Sequence, residues 1–132
     1  NAFIGLEQLR KLDAMTSRRQ ANHDRYLEQL GKRFYTQRPP QGSKVASISF
    51  GLLADSPEQR KRIVRALVAE GVETRIFSAG NLGLHPFWMN RYGKASFPVA
   101  DRVHHCGFFL PNHASMTDQD VLQISRIVLE AA

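Results

Sequence analysis

The N-terminal part of the chain carries apolar residues at helical spacing. Near both ends of the segment 2–30, such residues lie three or four positions apart. They are Ala2, Leu6, Leu9, Tyr26, Leu27 and Leu30. Between them Thr16–Arg25 is almost wholly polar, so this stretch faces either water or a partner molecule. Gly31 suits the end of a helix, and the pattern therefore predicts one long helix over residues 2–30.

A linker and a strand are predicted after this helix. Residues 36–44 include Pro39 and Pro40, which can donate no backbone hydrogen bond, so we expect an irregular connection there. Val45–Leu53 then alternates between apolar and polar side chains, which is typical of a half-buried β-strand. The α/β core of the domain is therefore expected to span residues 45–132.

The next helix has sequence signals at both ends. Ser56 is a suitable N-cap, Pro57 fits the first helical position, and Gln59 at the third position would complete a capping box. Gly71 ends the helix, and Val72–Phe77 follows at once as a second predicted strand. Strand, helix and strand joined by short links form a βαβ-like unit, so the two strands are predicted to be parallel.

The C-terminal third predicts two more helices around a short strand. Pro98 can begin a helix that ends near Gly107, and Phe108–Leu110 is a short apolar strand. Thr117 and Asp120 have the spacing of a capping box for the last helix. These elements predict an α/β (α+β) two-layer sandwich, in which helices cover mainly one face of a three-stranded sheet. The length of 132 residues suits one domain that includes the whole chain.

The segment RIFSAGNLGLHPFW, called the 75–88 loop below, holds the densest group of polar and aromatic side chains. Arg75 offers a fork of donors for phosphate or carboxylate, and Asn81 can both donate to and accept from a sugar hydroxyl. His85 could hydrogen-bond or relay a proton, and Phe87 and Trp88 could wall a sugar or base. The alternative is that the two aromatic residues are core anchors. The sequence predicts a ligand-binding loop here.

Positive charge is concentrated in the N-terminal third. The formal net charge is +6, and residues 1–44 carry nine Lys or Arg against four Asp or Glu. This excess could attract an anionic partner such as a nucleotide sugar, RNA or lipid, while a solvated helix face is the simpler alternative. The basic residues that a nucleic acid would contact are Arg10, Lys11, Arg18, Arg19 and Arg25.

Other kinds of chemistry lack their sequence signals. The adjacent His104 and His105 would diverge on a helix and could not chelate one ion together, so no metal site is predicted. Cys106 is the single cysteine, which excludes an internal disulfide, and we expect it to be an inert core thiol. No apolar run is long enough to span a membrane, and the composition favours a cytoplasmic protein.

Three segments resemble one known family. FIGLEQLRKLD, LVAEGVETRIFSAGNLGLHPFW and FFLPNHASMTDQDV are similar, in sequence and in spacing, to blocks near the C-terminus of the DegT-type sugar aminotransferases and dehydratases. These enzymes depend on pyridoxal phosphate (PLP). The resemblance covers nearly all 132 residues and implies the fold of the small domain of fold-type I PLP enzymes. AGN and HPFW are most similar to the branch that acts at C3 of 4-keto-6-deoxy sugar nucleotides, in dideoxysugar and lipopolysaccharide biosynthesis.

The resemblance also implies roles for particular residues. Ile76 and Leu82 depart from the Pro and Met that the family pattern favours, which leaves open the choice between dehydratase and aminotransferase and the identity of the sugar nucleotide. The residues implied to contact the sugar nucleotide or shape its pocket are Arg75, Asn81, His85, Trp88 and His113.

The resemblance does not extend to the cofactor domain of the family. In family members a large domain precedes the region seen here, holds the PLP phosphate and carries the catalytic Lys or His. The chain is therefore expected to bind no PLP alone and to contain no catalytic residue, either as a domain separated from a longer protein or as a stand-alone fragment. Without the large domain, apolar faces around Phe3, Ile4, Phe87 and Trp88 would be uncovered, so we expect a homodimer. The alternative functions are a self-associating module and a basic module that binds nucleic acid.

Overall fold

A computed structural model describes the fold of residues 2–132. No helix in this range is both long and apolar enough to cross a membrane. The elements, in chain order, are α1 (Ala2–Leu9), α2 (Leu12–Leu30), β1 (Tyr35–Thr36), β2 (Ser49–Leu53), α3 (Pro57–Ala69), a 3₁₀ turn (Leu82–Leu84), α4 (Pro86–Tyr92), α5 (Pro98–Cys106), β3 (Gly107–Pro111) and α6 (Asp118–Glu130).

The three strands form an antiparallel sheet in the order β1–β2–β3. β2 and β3 pair along their full lengths, from Ser49 opposite Pro111 to Leu53 opposite Gly107. Because side chains alternate along a strand, one face of β2 presents Phe50 and Leu52, which are both buried. The helices α2, α3 and α6 supply most of the core residues outside the sheet, so they cover that face of the sheet. The predicted fold class, an α+β sandwich with helices mainly on one face, is confirmed.

The Tyr26 side chain of α2 anchors the apolar core to β3. Tyr26 stacks on Phe50 with ring centroids 5.0 Å apart, and its hydroxyl donates a hydrogen bond to the Pro111 carbonyl at 3.1 Å. Burial raises the pKa of the Tyr26 hydroxyl, so it remains a neutral donor. The other large buried core side chains are Leu30, Leu52, Ile63, Leu67, Phe108, Leu110, Val121 and Val128.

The predicted single helix over residues 2–30 is two helices with a break at Arg10–Lys11. Lys11 precedes α2 without a side-chain cap, and no residue of α1 is buried. The first buried residue of α2 is Asn22, so only the second half of α2 is held by the core. The apolar pattern at the start of the chain predicted helix correctly, but it gave no information about what α1 packs against.

The predicted strand Val72–Phe77 is not a strand, and the predicted parallel pairing is wrong. This segment makes a single antiparallel bridge, between Arg75 and Phe109, and the third strand is β1. The physical reason is that Phe77 leaves the ladder to lie on the open face of the sheet. A Cβ atom added to Gly51 would be 2.7 Å from the Phe77 ring, and one added to Gly107 would be 2.5 Å from it.

The helix ends follow the sequence signals closely. The Ser56 side chain accepts a hydrogen bond from the Gln59 backbone N–H at 3.1 Å, as predicted. The Gln59 side chain, however, accepts from the Asp55 N–H at 2.6 Å, so the predicted capping box closes one residue earlier. Thr117 and Asp120 form the complete capping box predicted for α6.

The predicted linker and first strand have different bounds in the structure. Thr36, at the start of the predicted linker, belongs to β1. The irregular connection continues to Ile48, whose side chain is 73% exposed, and β2 begins only at Ser49.

Candidate functional site

The 75–88 loop lies on the sheet face opposite the helical layer. Its first part is fixed by the Arg75–Phe109 bridge and by Phe77, whose ring lies 4.3 Å from that of Phe109. The chain then turns sharply at Ala79 and Gly80, where both φ angles are positive, 64° and 57°. A left-handed alanine costs about 1 kcal/mol, so this turn is strained and must be held by its surroundings.

Buried hydrogen bonds around Asn81 hold the turn. The Asn81 side chain is 1% exposed, accepts from the Gly83 N–H at 2.8 Å and donates to the Asp101 carboxylate. The Asn81 N–H donates to the Nδ1 atom of His104 at 3.2 Å, and the Ser96 hydroxyl donates to Asp101 at 3.0 Å. The hydrogen bonds from Asn81 and then Ser96 lower the pKa of Asp101. Asn81 therefore fixes the loop from within.

Gly80 lies against α5, where the ring of His104 occupies the space that a side chain at residue 80 would need. The positive φ and this close approach both require glycine at the position. The turn therefore rests on α5 through Gly80 and Asn81 together.

His85 closes the loop from its exposed side. The Ala79 carbonyl lies 2.7 Å from the Nε2 atom of His85, and because a carbonyl only accepts, Nε2 carries the proton. The ring of Phe87 stands edge-on to that of His85 at 5.9 Å, and the Phe87 side chain is 61% exposed. The interpretation of Phe87 as a core anchor is therefore wrong.

Trp88 lies on α4, a short helix that begins with Pro86 and that was not predicted from the sequence. Its ring packs on Tyr92 with centroids 4.8 Å apart. Trp88 is half-buried, and its Nε1 atom is buried without a hydrogen-bond partner within residues 2–132. Buried tryptophan N–H groups usually donate a hydrogen bond, so the Trp88 N–H is a donor without an acceptor in the described part of the chain.

The other two predicted site residues lie at different places. The Arg75 guanidinium is exposed and forms an ion pair with Glu73 at the base of the loop. His113 is exposed beyond the far end of β3, and its Nδ1 atom lies 2.7 Å from the Ser115 hydroxyl. Within residues 2–132, no hydrogen bond or aromatic contact joins His113 to the 75–88 loop. The loop thus gathers Asn81, His85 and Trp88, with Arg75 at its base and His113 apart.

A groove next to the loop was not predicted from the sequence. It has a volume of about 630 Å³ and runs between the open face of the sheet and α5. Gly51 forms part of its floor, and a glycine inside a strand is a signal that another group approaches the sheet closely. The lining residues are Tyr35, Gln37, Gly51, Leu53, Phe77, Pro98, Val99, Arg102 and Val103.

The basic N-terminal residues are partly neutralised. Arg10 pairs with Glu7 at 2.7 Å, and both Arg18 and Arg25 pair with Asp118, at 3.0 and 3.4 Å. Such pairs are exposed and contribute little to stability, but they reduce the positive potential of this surface.

The profile of the DegT/DnrJ/EryC1/StrS aminotransferase family matches residues 1–129, so the chain belongs to this family. A curated relative, an uncharacterised protein of Methanocaldococcus jannaschii, is 28% identical over 96% of this chain and 34% of its own length.

Solved structures with the same fold include a dehydratase and two aminotransferases. Escherichia coli GDP-4-keto-6-deoxy-D-mannose-3-dehydratase, solved with hydrated PLP, superimposes with a TM-score of 0.79 at 22% identity, over 95% of this chain and 33% of that one. Aminotransferase TlmJ from Streptoalloteichus hindustanus gives 0.82 at 27% identity, over 97% and 34%. Helicobacter pylori PseC, an aminotransferase of pseudoaminic acid biosynthesis, gives 0.83 at 20%, over 96% and 35%. The chain spans about a third of the length of these relatives.

The residues described here do not form a PLP cradle. A lysine that forms a Schiff base needs a desolvated site that lowers its pKa, and all five lysines of the chain are exposed. No group of three or more potential metal ligands occurs within residues 2–132. His104 and His105 stand perpendicular to each other on α5, and the Cys106 thiol is buried. Within residues 2–132, therefore, no lysine has the desolvated surroundings that a Schiff-base lysine needs.

Proposed function

We propose that this chain forms one side of the sugar-nucleotide pocket in a PLP-dependent sugar-nucleotide 3-dehydratase or aminotransferase. The 75–88 loop is its contact surface, and the chain is catalytically incomplete alone. The family match and the fold shared with the E. coli dehydratase support this proposal. PLP and its reacting lysine or histidine would come from the two-thirds of such an enzyme that this chain does not cover.

The observation that carries the proposal is a strained, exposed turn held by a buried network. Ala79 and Gly80 take left-handed conformations at the surface, while Asn81 below them is buried and bonded to Asp101 and His104. A loop that served only as a connection would need neither the strain nor the buried polar support. Backbone strain of this kind is concentrated at ligand sites, because it fixes side chains before the ligand arrives.

Each predicted site residue takes a distinct role in the proposal. Arg75 is exposed and can turn its fork of donors from Glu73 to a diphosphate. His85 and Trp88 border the sugar and base, with Tyr92 backing the indole ring. Asn81 shapes the pocket by holding the turn, since both ends of its buried side chain are already bonded. His113 would contribute to the pocket from a separate edge, beyond the end of β3.

A titration with GDP-mannose, followed by amide NMR spectra, tests the proposed pocket. We expect saturable shifts in the 75–88 loop and affinity about tenfold weaker in Arg75→Ala, because a charge-assisted hydrogen bond is lost. Arg126→Ala is the matched control, since Arg126 is also exposed and paired with one glutamate, Glu130. Equal affinities for the two variants, or no shifts in the loop, would contradict the proposed pocket.

The proposed incompleteness has its own test. Adding PLP to the isolated chain should give the absorbance of free PLP, because none of the exposed lysines is desolvated. A stable band of a Schiff base would overturn this part of the proposal.

Self-association is a second proposed property, and α1 favours it. Phe3 and Ile4 are 77% and 64% exposed, although α1 is strongly apolar. We expect a homodimer in the cytoplasm, in which these side chains are covered. Sedimentation at rising concentration should show dimers, and Ile4→Glu should dissociate them while Gln8→Glu should not. A monomer at every concentration would refute the expected dimer.

A further inference from the structure

A second cluster of basic side chains lies on α3, away from the N-terminal helices and the 75–88 loop. It surrounds a hollow of about 370 Å³ between α3 and the C-terminal end of α5. The lining residues are Pro57, Arg60, Lys61, Val64, Arg65 and His105. Three of these side chains, those of Arg60, Lys61 and Arg65, are cations, and no carboxylate lines the hollow.

The charges of this cluster have no counter-ion within residues 2–132. Arg60, Lys61 and Arg65 form none of the ion pairs found in this part of the chain. Lys61 and Arg65 lie one helical turn apart, where like charges destabilise a helix. Glu58 is on the same helix but does not line the hollow. The helix thus retains a repulsion that a bound anion would relieve.

Arg60 adds a donor that the chain leaves unsatisfied. Its Nε atom is buried and has no hydrogen-bond partner among the described residues. One terminal nitrogen lies 3.4 Å from the His105 carbonyl, a long hydrogen bond that holds the guanidinium across the gap between α3 and α5. The arginine is therefore positioned by the fold while part of its donor capacity remains available.

The position of the cluster on α3 does not serve the stability of the helix. Cations stabilise the C-terminal turn of a helix, but the last turn of α3 contains none. Its four basic residues instead occupy positions 60–65, in the N-terminal and central turns. A solvated helix surface would not require this arrangement, whereas anion binding would benefit from it.

We propose that this hollow binds a small polyphosphate, of the size of a free diphosphate or the diphosphate of a nucleotide. Arginine forks and a lysine point charge are the side chains that recognise phosphate oxygens. The hollow is concave and limited to about two turns of one helix, which fits a small anion better than an extended nucleic-acid strand.

Titration of the 132-residue chain with inorganic pyrophosphate tests this site. We expect one-to-one binding that persists at physiological ionic strength, with amide shifts centred on Arg60, Lys61, Arg65 and His105. Lys61→Glu should weaken this binding at least tenfold, since it replaces a charge-assisted hydrogen bond by repulsion. The matched control is Lys32→Glu, an exposed lysine with the same change of charge, which should alter affinity less than about twofold.

Three results would contradict the proposal that the α3 hollow binds a small polyphosphate. These are equal loss of affinity in both variants, loss of all binding at physiological salt, and tighter binding of a single-stranded oligonucleotide through the same residues. The last result would assign the cluster to nucleic acid instead. Amide shifts report each residue separately, so a response at Arg60, Lys61 and Arg65 is distinguishable from a response at Arg75 in the 75–88 loop whichever ligand is added.

Discussion

Replacing Asn81 by Ala would remove the central support of the 75–88 loop. The side chain is 1% exposed and accepts the hydrogen bond of the Gly83 N–H, which is itself buried. Loss of this cap costs about 1 kcal/mol, and an unpaired buried N–H costs about 1 to 3 kcal/mol. Because the two costs partly overlap, we expect the free energy of unfolding to fall by about 2 to 3 kcal/mol.

Urea unfolding measures this change directly. With a slope of about 1 to 3 kcal/mol per molar urea, the expected loss moves the midpoint by roughly 0.7 to 3 M. Asn90→Ala is the control, because Asn90 is exposed on α4, and it should stay within about 0.5 kcal/mol of the parent. If Asn81→Ala were no worse than this control, the buried network could not be what holds the strained turn.

Asn81→Asp separates the two halves of the network. The aspartate keeps an acceptor for the Gly83 N–H but faces the Asp101 carboxylate, to which the asparagine donates. Its destabilisation should therefore grow as pH rises and both carboxyl groups ionise. A constant loss between pH 3 and pH 7, on the order of the Asn81→Ala value, would show that Asp101 is not part of the support.

Three further changes test the scaffold. Ser56→Ala should lower the free energy of unfolding by about 1 kcal/mol in urea, because the Gln59 N–H loses its cap. Gly107→Ala should displace the Phe77 ring, which lies 2.5 Å from the added Cβ, and an unchanged near-ultraviolet spectrum would contradict this. Hydrogen bonds from the Thr117 backbone and hydroxyl lower the pKa of Asp120 from 3.8, so their contribution is present above about pH 4 and lost as pH falls below it. The stability difference from Asp120→Asn should therefore shrink in acid.

The fold was predictable wherever local chemistry decides the structure. The limits of α3 and α6 follow from caps such as Ser56 and Thr117, which act on backbone groups within three residues. β3 was predictable because three consecutive apolar residues follow the end of a helix. Contacts between residues that are distant in the chain could not be predicted from the sequence. The pairing of β1 rests on two residues, and the departure of Phe77 from the ladder depends on Gly51 and Gly107, distant in the chain.

The candidate site was predictable in part for the same reason. The sequence located a loop rich in turn-forming and aromatic residues, and the structure shows a strained turn there. It did not show that Asn81 points inward, because its partners Asp101 and His104 lie twenty or more residues away. The groove beside the loop was not predicted because part of its floor is Gly51, which has no side chain that could signal a binding site in the sequence.

The break at Arg10–Lys11 separates the apolar helix α1 from the rest of the fold, and no residue of α1 is buried in the core. Because α1 contributes nothing to the core, substitutions on its surface should leave the sheet and the 75–88 loop undisturbed. A covering partner for α1 can therefore be gained, exchanged or lost in evolution while the remainder of the fold keeps its packing.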